Sequence, residues 1–131
     1  MRSPLLWPAV ERPCGSGSCP SVPDDADALP PAIDLELAGN CRERPPLADV
    51  EAQLQAFVGP VEQRTRQQVV LYLGNDFRKA YPISLASSRG RWLRRWFRRP
   101  GGTWVIWQVQ GHAHVHGIRG DVDLDVAALP P

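Results

Sequence analysis

Three histidines alternate near the C-terminal end of the sequence. His112, His114 and His116 are spaced at i, i+2 and i+4 in the segment GHAHVHG. On a β-strand this spacing places the three imidazoles on one face, because successive side chains point to opposite faces. Imidazole nitrogens bind divalent transition metals, and a downstream aspartate can add a carboxylate ligand. The pattern makes these residues a candidate divalent-metal site, although a solvated strand face without metal is the favoured interpretation. No other cofactor is predicted.

A second cluster combines arginine with tryptophan. Residues 87–117 contain six arginines and four tryptophans. Guanidinium groups bind phosphate and carboxylate through paired hydrogen bonds, and they stack on aromatic rings. The residues that we expect to contact a nucleic acid or another anionic partner are Arg89, Arg91, Trp92, Arg94, Arg95, Trp96, Arg98 and Arg99.

The charge distribution favours the same segment as a binding surface. The whole chain of 131 residues has a formal net charge of +1. Residues 64–99, however, include ten basic residues and only one acidic residue, Asp76. A local excess of positive charge attracts polyanions. Our first hypothesis is therefore a small non-enzymatic protein that binds nucleic acid through residues 89–99.

Other functions remain open at this point. The same basic surface also fits a protein-partner module, such as an inhibitor, immunity or accessory subunit, that docks on an acidic protein face. A third hypothesis is a metal-dependent enzyme that uses the histidine strand. The arginines can also simply face water, or be neutralised by the acidic segment near Asp24. The sequence has no glycine-rich phosphate loop, nucleophile elbow or Cys–His pair at catalytic spacing, so binding is favoured over catalysis.

The cysteines and hydropathy suggest the cellular setting. The three cysteines, Cys14, Cys19 and Cys41, are an odd number, which argues against a disulfide scaffold. No apolar stretch approaches the length of about 20 residues that a membrane-spanning helix needs. These features lead us to expect a cytoplasmic protein, and they leave the oligomeric state open.

The distribution of proline divides the chain into two parts. Nine of the 14 prolines precede Leu47. Proline lacks a backbone N–H donor and disrupts helices and central strands. We therefore predict a flexible Pro-rich segment over residues 1–31 and a single compact domain over residues 32–127.

Hydrophobic periodicity predicts the elements of this domain. Alternation predicts strands over residues 32–39 and 121–129, whereas β-branched and aromatic runs predict strands over 67–74, 79–87 and 103–110. An apolar stripe predicts a helix over 45–58 that ends at Gly59-Pro60. Residues 89–99 fit a strand, but a helix is favoured because it gathers Trp92, Leu93, Trp96 and Phe97 on one side. The predicted fold is α+β, with an antiparallel sheet of about four to six strands and one or two helices on one face.

Overall fold

A five-stranded sheet forms the centre of the protein. The computed structural model describes residues 27–37 and 44–128. Strands β1 to β4 are parallel neighbours in chain order, and β5 pairs antiparallel with β4. The strands are β1 (Ala32–Leu35), β2 (Val70–Leu73), β3 (Gly90–Arg94), β4 (Ile106–Ala113) and β5 (Val122–Ala127).

One face of the sheet contributes to the hydrophobic core, together with helix α1 (Leu47–Thr65). The buried residues of α1 recur at helical spacing, which gives the helix one apolar side. They share a single cluster with alternate residues of β1, β2 and β3, and the buried members on the two layers are Val50, Leu54, Val58, Val61, Ile33, Leu35, Leu71, Leu73 and Leu93. Because strand side chains alternate, the residues between them point to the opposite face.

Helix α1 continues past its predicted end at Gly59-Pro60. Pro60 lies inside the helix, which ends only at Thr65. A proline removes one helical hydrogen bond, but Val58 and Val61 on either side of it are both buried in the core. This burial offsets the local cost. The chain leaves the helix at Arg66, which has a left-handed φ of 55° and donates its backbone N–H to the Glu62 carbonyl oxygen.

The connection from β2 to β3 differs from the prediction. Residues 79–87 do not form a strand; they follow from helix α2 (Asn75–Ala80) into a short 3₁₀ helix, Ser84–Ser87. Phe77, Tyr81, Ile83 and Leu85 are buried along this path. Two parallel strands need a crossover connection rather than a tight turn, and these apolar side chains hold the crossover against the core.

The helix that we favoured over residues 89–99 is wrong, because residues 90–94 form strand β3. Leu93 is only 6% exposed and belongs to the core, whereas its neighbour Trp92 points to the other face. Hydrogen bonding to β2 on one side and β4 on the other favours the strand over the helical stripe. The chain then turns at Phe97, which has a φ of 52° and is 77% exposed.

The mixed five-stranded sheet with few helices is consistent with the predicted α+β class and strand number. The predicted antiparallel arrangement is wrong for β1 to β4, because pairing direction depends on long connections that local patterns do not report. The predicted Pro-rich segment lies largely outside the described residues, and the division at residue 31 stays a prediction. None of the helices described is long and apolar enough to cross a membrane, and the cytoplasmic location also stays a prediction.

Candidate active site

An open cleft lies on the face of the sheet opposite the core and extends to the edge where the parallel strands end. It has a volume of about 390 Å³, within the range of small-molecule sites. Residues from all five strands or from the segments just after them reach it. The lining residues are Ala32, Asp34, Glu36, Tyr72, Trp92, Arg94, Trp96, Gln108, Gly111, His112 and Asp123. The carboxyl edge of a parallel sheet is the usual place for a ligand site, because the loops there are free to vary.

Strand register explains why these side chains meet. Asp34 of β1 is paired with Tyr72 of β2, and Tyr72 is paired with Trp92 of β3. Paired residues in adjacent strands point to the same face, opposite the core face that carries Leu35 and Leu93. A row of one carboxyl and two aromatic side chains therefore crosses the floor of the cleft.

Asp34 and Glu36 form a pair of neighbouring carboxyl groups at the end of β1. They lie two residues apart and line the same cleft. The pKa of Asp34 is raised from 3.8 to about 6 by partial burial, by the negative charge of Glu36 and by a side-chain hydrogen bond with Glu36. Two carboxylates this close do not both ionise easily. Asp34 therefore holds an acidic proton up to about pH 6 beside Glu36 in an open cleft.

Polar side chains from β2 to β5 are fixed by hydrogen bonds. Tyr72 donates its hydroxyl hydrogen to Oε1 of the buried Gln108 over 2.7 Å. Burial also raises the pKa of the Tyr72 phenol, which keeps it a donor. The indole N–H of Trp92 donates to Oδ1 of Asp125 over 2.8 Å. These bonds hold the rings of the cleft floor in fixed orientations.

Asp123 adds a third carboxyl group from β5, the edge strand farthest from β1. The register of β4 and β5 shifts between Gln108 and Gln110, which changes which β4 residues face the cleft. As a result Gly111 lies beside Asp123, and a Cβ atom at position 111 would be 3.4 Å from Asp123 Oδ1. The cleft thus has carboxyl groups on both its first and its last strand.

A family match covers most of the chain. Residues 18–118 match the model for glycosyl hydrolases family 25. The chain belongs to this family. No curated protein sequence gives a significant match.

Solved structures of similar fold include other family 25 and lysozyme-type enzymes. A family 25 glycosyl hydrolase from Bacillus anthracis is 26% identical, with a TM-score of 0.69 over 83% of this chain. The spore cortex lytic enzyme SleM of Clostridium perfringens is 20% identical, with a TM-score of 0.63 over 76% of this chain. A bacterial lysozyme from Streptomyces coelicolor is 21% identical, with a TM-score of 0.59 over 74% of this chain.

The chain described in this structure spans only part of the length of these three proteins. It spans 54% of the Bacillus anthracis enzyme, 37% of SleM and 49% of the Streptomyces coelicolor lysozyme.

Membership of a glycosyl hydrolase family overturns the function predicted from the sequence. The prediction of a nucleic-acid-binding protein was wrong, and so was the alternative prediction of a module that docks on an acidic protein face. The physical error was to read clustered arginine as a sign of a polyanionic partner. Several of these arginines have partners within the chain instead.

The predicted arginine and tryptophan residues differ in their contacts. Arg89 forms an ion pair with Glu62 over 2.6 Å, and Arg91 donates to the Thr103 hydroxyl over 2.6 Å. The guanidinium of Arg99 lies over the Trp104 ring, with 5.3 Å between Cζ and the ring centroid. Only three members of the predicted set line the cleft, namely Trp92, Arg94 and Trp96, while Arg95 and Arg98 are exposed.

The three histidines also differ in their contacts. His112 Nδ1 lies 3.1 Å from one oxygen of Asp121, and His114 Nδ1 lies 3.6 Å from the other. His116 has no hydrogen bond or ion pair with any described residue. Within residues 27–37 and 44–128, no group of three or more His, Cys, Asp or Glu side chains is placed to hold a metal ion. The divalent-metal site stays a prediction, and only His112 reaches the cleft.

The sequence analysis missed the carboxyl groups of the cleft. Asp34 and Glu36 were not singled out as candidate site residues, and a downstream aspartate such as Asp123 was considered only as an additional metal ligand. A usable signal was present, because Asp34 and Glu36 share one face at the end of a strand. Tyr72 and Gln108 gave no such signal, since their place in the cleft depends on the register between strands.

Proposed function

We propose that this chain hydrolyses glycosidic bonds in a bacterial cell-wall glycan, with the Asp34–Glu36 pair as the proton donor. The observation that carries the proposal is the placement of these two carboxyl groups side by side in an open cleft, where burial and the charge of Glu36 raise the pKa of Asp34 to about 6. Family membership and the likeness to a lysozyme and a spore cortex lytic enzyme support the choice of substrate.

The chemistry of glycoside cleavage needs what this pair supplies. The glycosidic oxygen is a poor leaving group until it is protonated, and a carboxylic acid of raised pKa does this efficiently near neutral pH. The pair gives its proton to that oxygen as the bond to the anomeric carbon breaks. Water then adds its hydroxyl group to the anomeric carbon, and its remaining proton returns to the pair.

The rest of the cleft supports the same reaction. Asp123 supplies a second carboxyl group for the positive charge that develops on the sugar ring. Trp92, fixed by its bond to Asp125, presents an amphipathic ring to the cleft, which suits the apolar face of a sugar. Tyr72 keeps a hydroxyl group near the carboxyl pair.

The test uses the full chain and purified bacterial cell walls as substrate, with release of reducing ends as the readout. We expect Asp34→Asn and Glu36→Gln each to lower the rate by about 100-fold or more, as loss of general acid catalysis does. Asp49→Asn is the matched control, because Asp49 is an exposed carboxyl group in the first turn of α1, away from the cleft. It should leave the rate unchanged.

Two results contradict the proposal. One is a wild-type chain that is folded by circular dichroism and releases no reducing ends from cell walls. The other is an Asp34→Asn variant that retains the wild-type rate, since its amide cannot donate the proton that the Asp34 carboxyl group supplies.

A further inference from the structure

One wall of the cleft carries a positive charge that the proposed reaction does not use. Among the lining residues that the structure describes, Arg94 is the only arginine or lysine. The carboxyl groups of the cleft, Asp34, Glu36 and Asp123, come from the two outer strands β1 and β5, whereas Arg94 ends the middle strand β3.

Arg94 differs from the neighbouring arginines in its position, because it is the one that lines the cleft. Arg89 is paired with Glu62, and Arg91 is bonded to the Thr103 hydroxyl. Arg94 is half-buried and makes no ion pair with a described residue. Its charge lowers the pKa of Tyr72 against the larger effect of burial, but it is not among the causes that set the pKa of Asp34.

The guanidinium of Arg94 is held in place by Trp96. It lies over the indole ring with 5.9 Å between Cζ and the ring centroid. Trp96 itself is 43% exposed but is fixed at its other contacts. Its ring lies parallel to the His112 ring, with centroids 6.2 Å apart, and a Cβ atom at position 111 would come within 2.9 Å of its Cη2. Only glycine at 111 allows this close approach.

A guanidinium stacked on a fixed ring loses little conformational freedom when it binds a ligand. Its remaining N–H groups form a planar fork that matches carboxylate or phosphate oxygens. We propose that Arg94 binds an anionic substituent, a carboxylate or a phosphate, on a sugar of the glycan chain that occupies the cleft. This inference rests on the proposed function, because it takes a glycan as the ligand.

The experiment measures binding by calorimetry in the Asp34→Asn background, so that ligands stay intact. The first ligand is a tetrasaccharide of alternating N-acetylglucosamine and N-acetylmuramic acid with free carboxylates. The second is the same tetrasaccharide with its carboxylates converted to methyl amides. A third carries a phosphate on the 6-hydroxyl group and otherwise matches the second. The second ligand isolates the contribution of charge, and the third distinguishes phosphate from carboxylate.

We expect Arg94→Gln to weaken binding of the anionic ligand by about 10-fold to 100-fold, the range of a charge-assisted hydrogen bond. Binding of the methyl amide ligand should change little. Arg94→Lys should recover part of the affinity. Arg95→Gln is the matched control, since Arg95 is the exposed neighbour and does not line the cleft. A preference for the third ligand over the first would identify phosphate as the anion.

The proposal is overturned if Arg94→Gln weakens the anionic and neutral ligands equally, which would show a purely structural role. It is also overturned if neither anionic ligand binds. A failure of the proposed hydrolysis can be distinguished from a failure of this inference. A chain that prefers anionic ligands through Arg94 but releases no reducing ends from cell walls retains this inference and loses the enzymatic function.

Discussion

Glu62 and Asp34 lie on opposite faces of the sheet, and they show how the group beside a carboxyl group changes its pKa and so its role. Glu62 on α1 accepts hydrogen bonds from Arg89 at 2.6 and 2.7 Å, and this contact holds its pKa below its usual value. Asp34 on the cleft side has Glu36 as its neighbour, and burial together with that second acid raises its pKa to about 6. The first carboxyl group is fixed as an anion and joins α1 to the start of β3. The second retains a proton and is suited to acid catalysis.

Removing the Arg89 guanidinium should change the free energy of unfolding more than any other substitution at these two carboxyl groups. We expect Arg89→Ala to lower the free energy of unfolding by about 1–2 kcal/mol, because the charged Glu62 loses the two hydrogen bonds that Arg89 donates and keeps only the one from the Val69 backbone N–H. The side chains of Arg89 and Glu62 are only 19% and 18% exposed, so water replaces these bonds poorly. Urea unfolding near neutral pH measures the loss.

The matched control is Arg95→Ala, since Arg95 is exposed and forms no ion pair with a described residue. It should change the free energy of unfolding by less than about 0.5 kcal/mol. The Arg89→Ala effect should also shrink as the pH falls through the folded pKa of Glu62, below 4.5, because a protonated Glu62 no longer needs the partner. Equal losses for the two variants would contradict the structural role of the pair.

A smaller effect of opposite sign is expected at Asp34. Its folded pKa of about 6 lies above the unfolded value of 3.8, so ionising it opposes folding as the pH rises between these values. Asp34→Asn removes that cost and should raise the free energy of unfolding by about 1 kcal/mol near pH 8, a figure reduced for solvent screening in the open cleft. Near pH 4 the variant and wild type should differ little. Urea unfolding at the two pH values tests this.

Asp49→Asn, on the exposed first turn of α1, is the control and should show no such pH-dependent gain. An Asp34→Asn variant that is less stable than wild type near pH 8 would show that the carboxylate stabilises the fold. That result would contradict the contrast with Glu62.

Local patterns in the sequence predicted some elements well and others poorly. The alternation of Ile33 and Leu35 with Asp34 gave β1, and the β-branched run before Gly74 gave β2, because each pattern reports burial directly. The pattern of apolar residues in 89–99 fits both an amphipathic helix and a β-strand. The outcome depended on β2 and β4 lying on either side of Leu93, which the segment itself does not encode.

The candidate site was harder to predict than the fold. Asp34 and Asp123 are 89 positions apart in the sequence, and only the order of the strands brings them to one cleft. The arginines gave the stronger local signal, although Glu62 and Thr103, which satisfy two of them, lie far from them along the chain. Composition therefore pointed to the cations, whereas the topology shows that the acids occupy the cleft.

The pH dependence of kcat/KM on purified cell walls tests the central claim most directly, because the proposed reaction needs the proton that Asp34 holds beside Glu36. We expect kcat/KM to fall as the pH rises through about 6, the value at which Asp34 loses that proton. A kcat/KM that stays constant or increases as the pH rises through 6 would contradict the assignment of this pair as the proton donor.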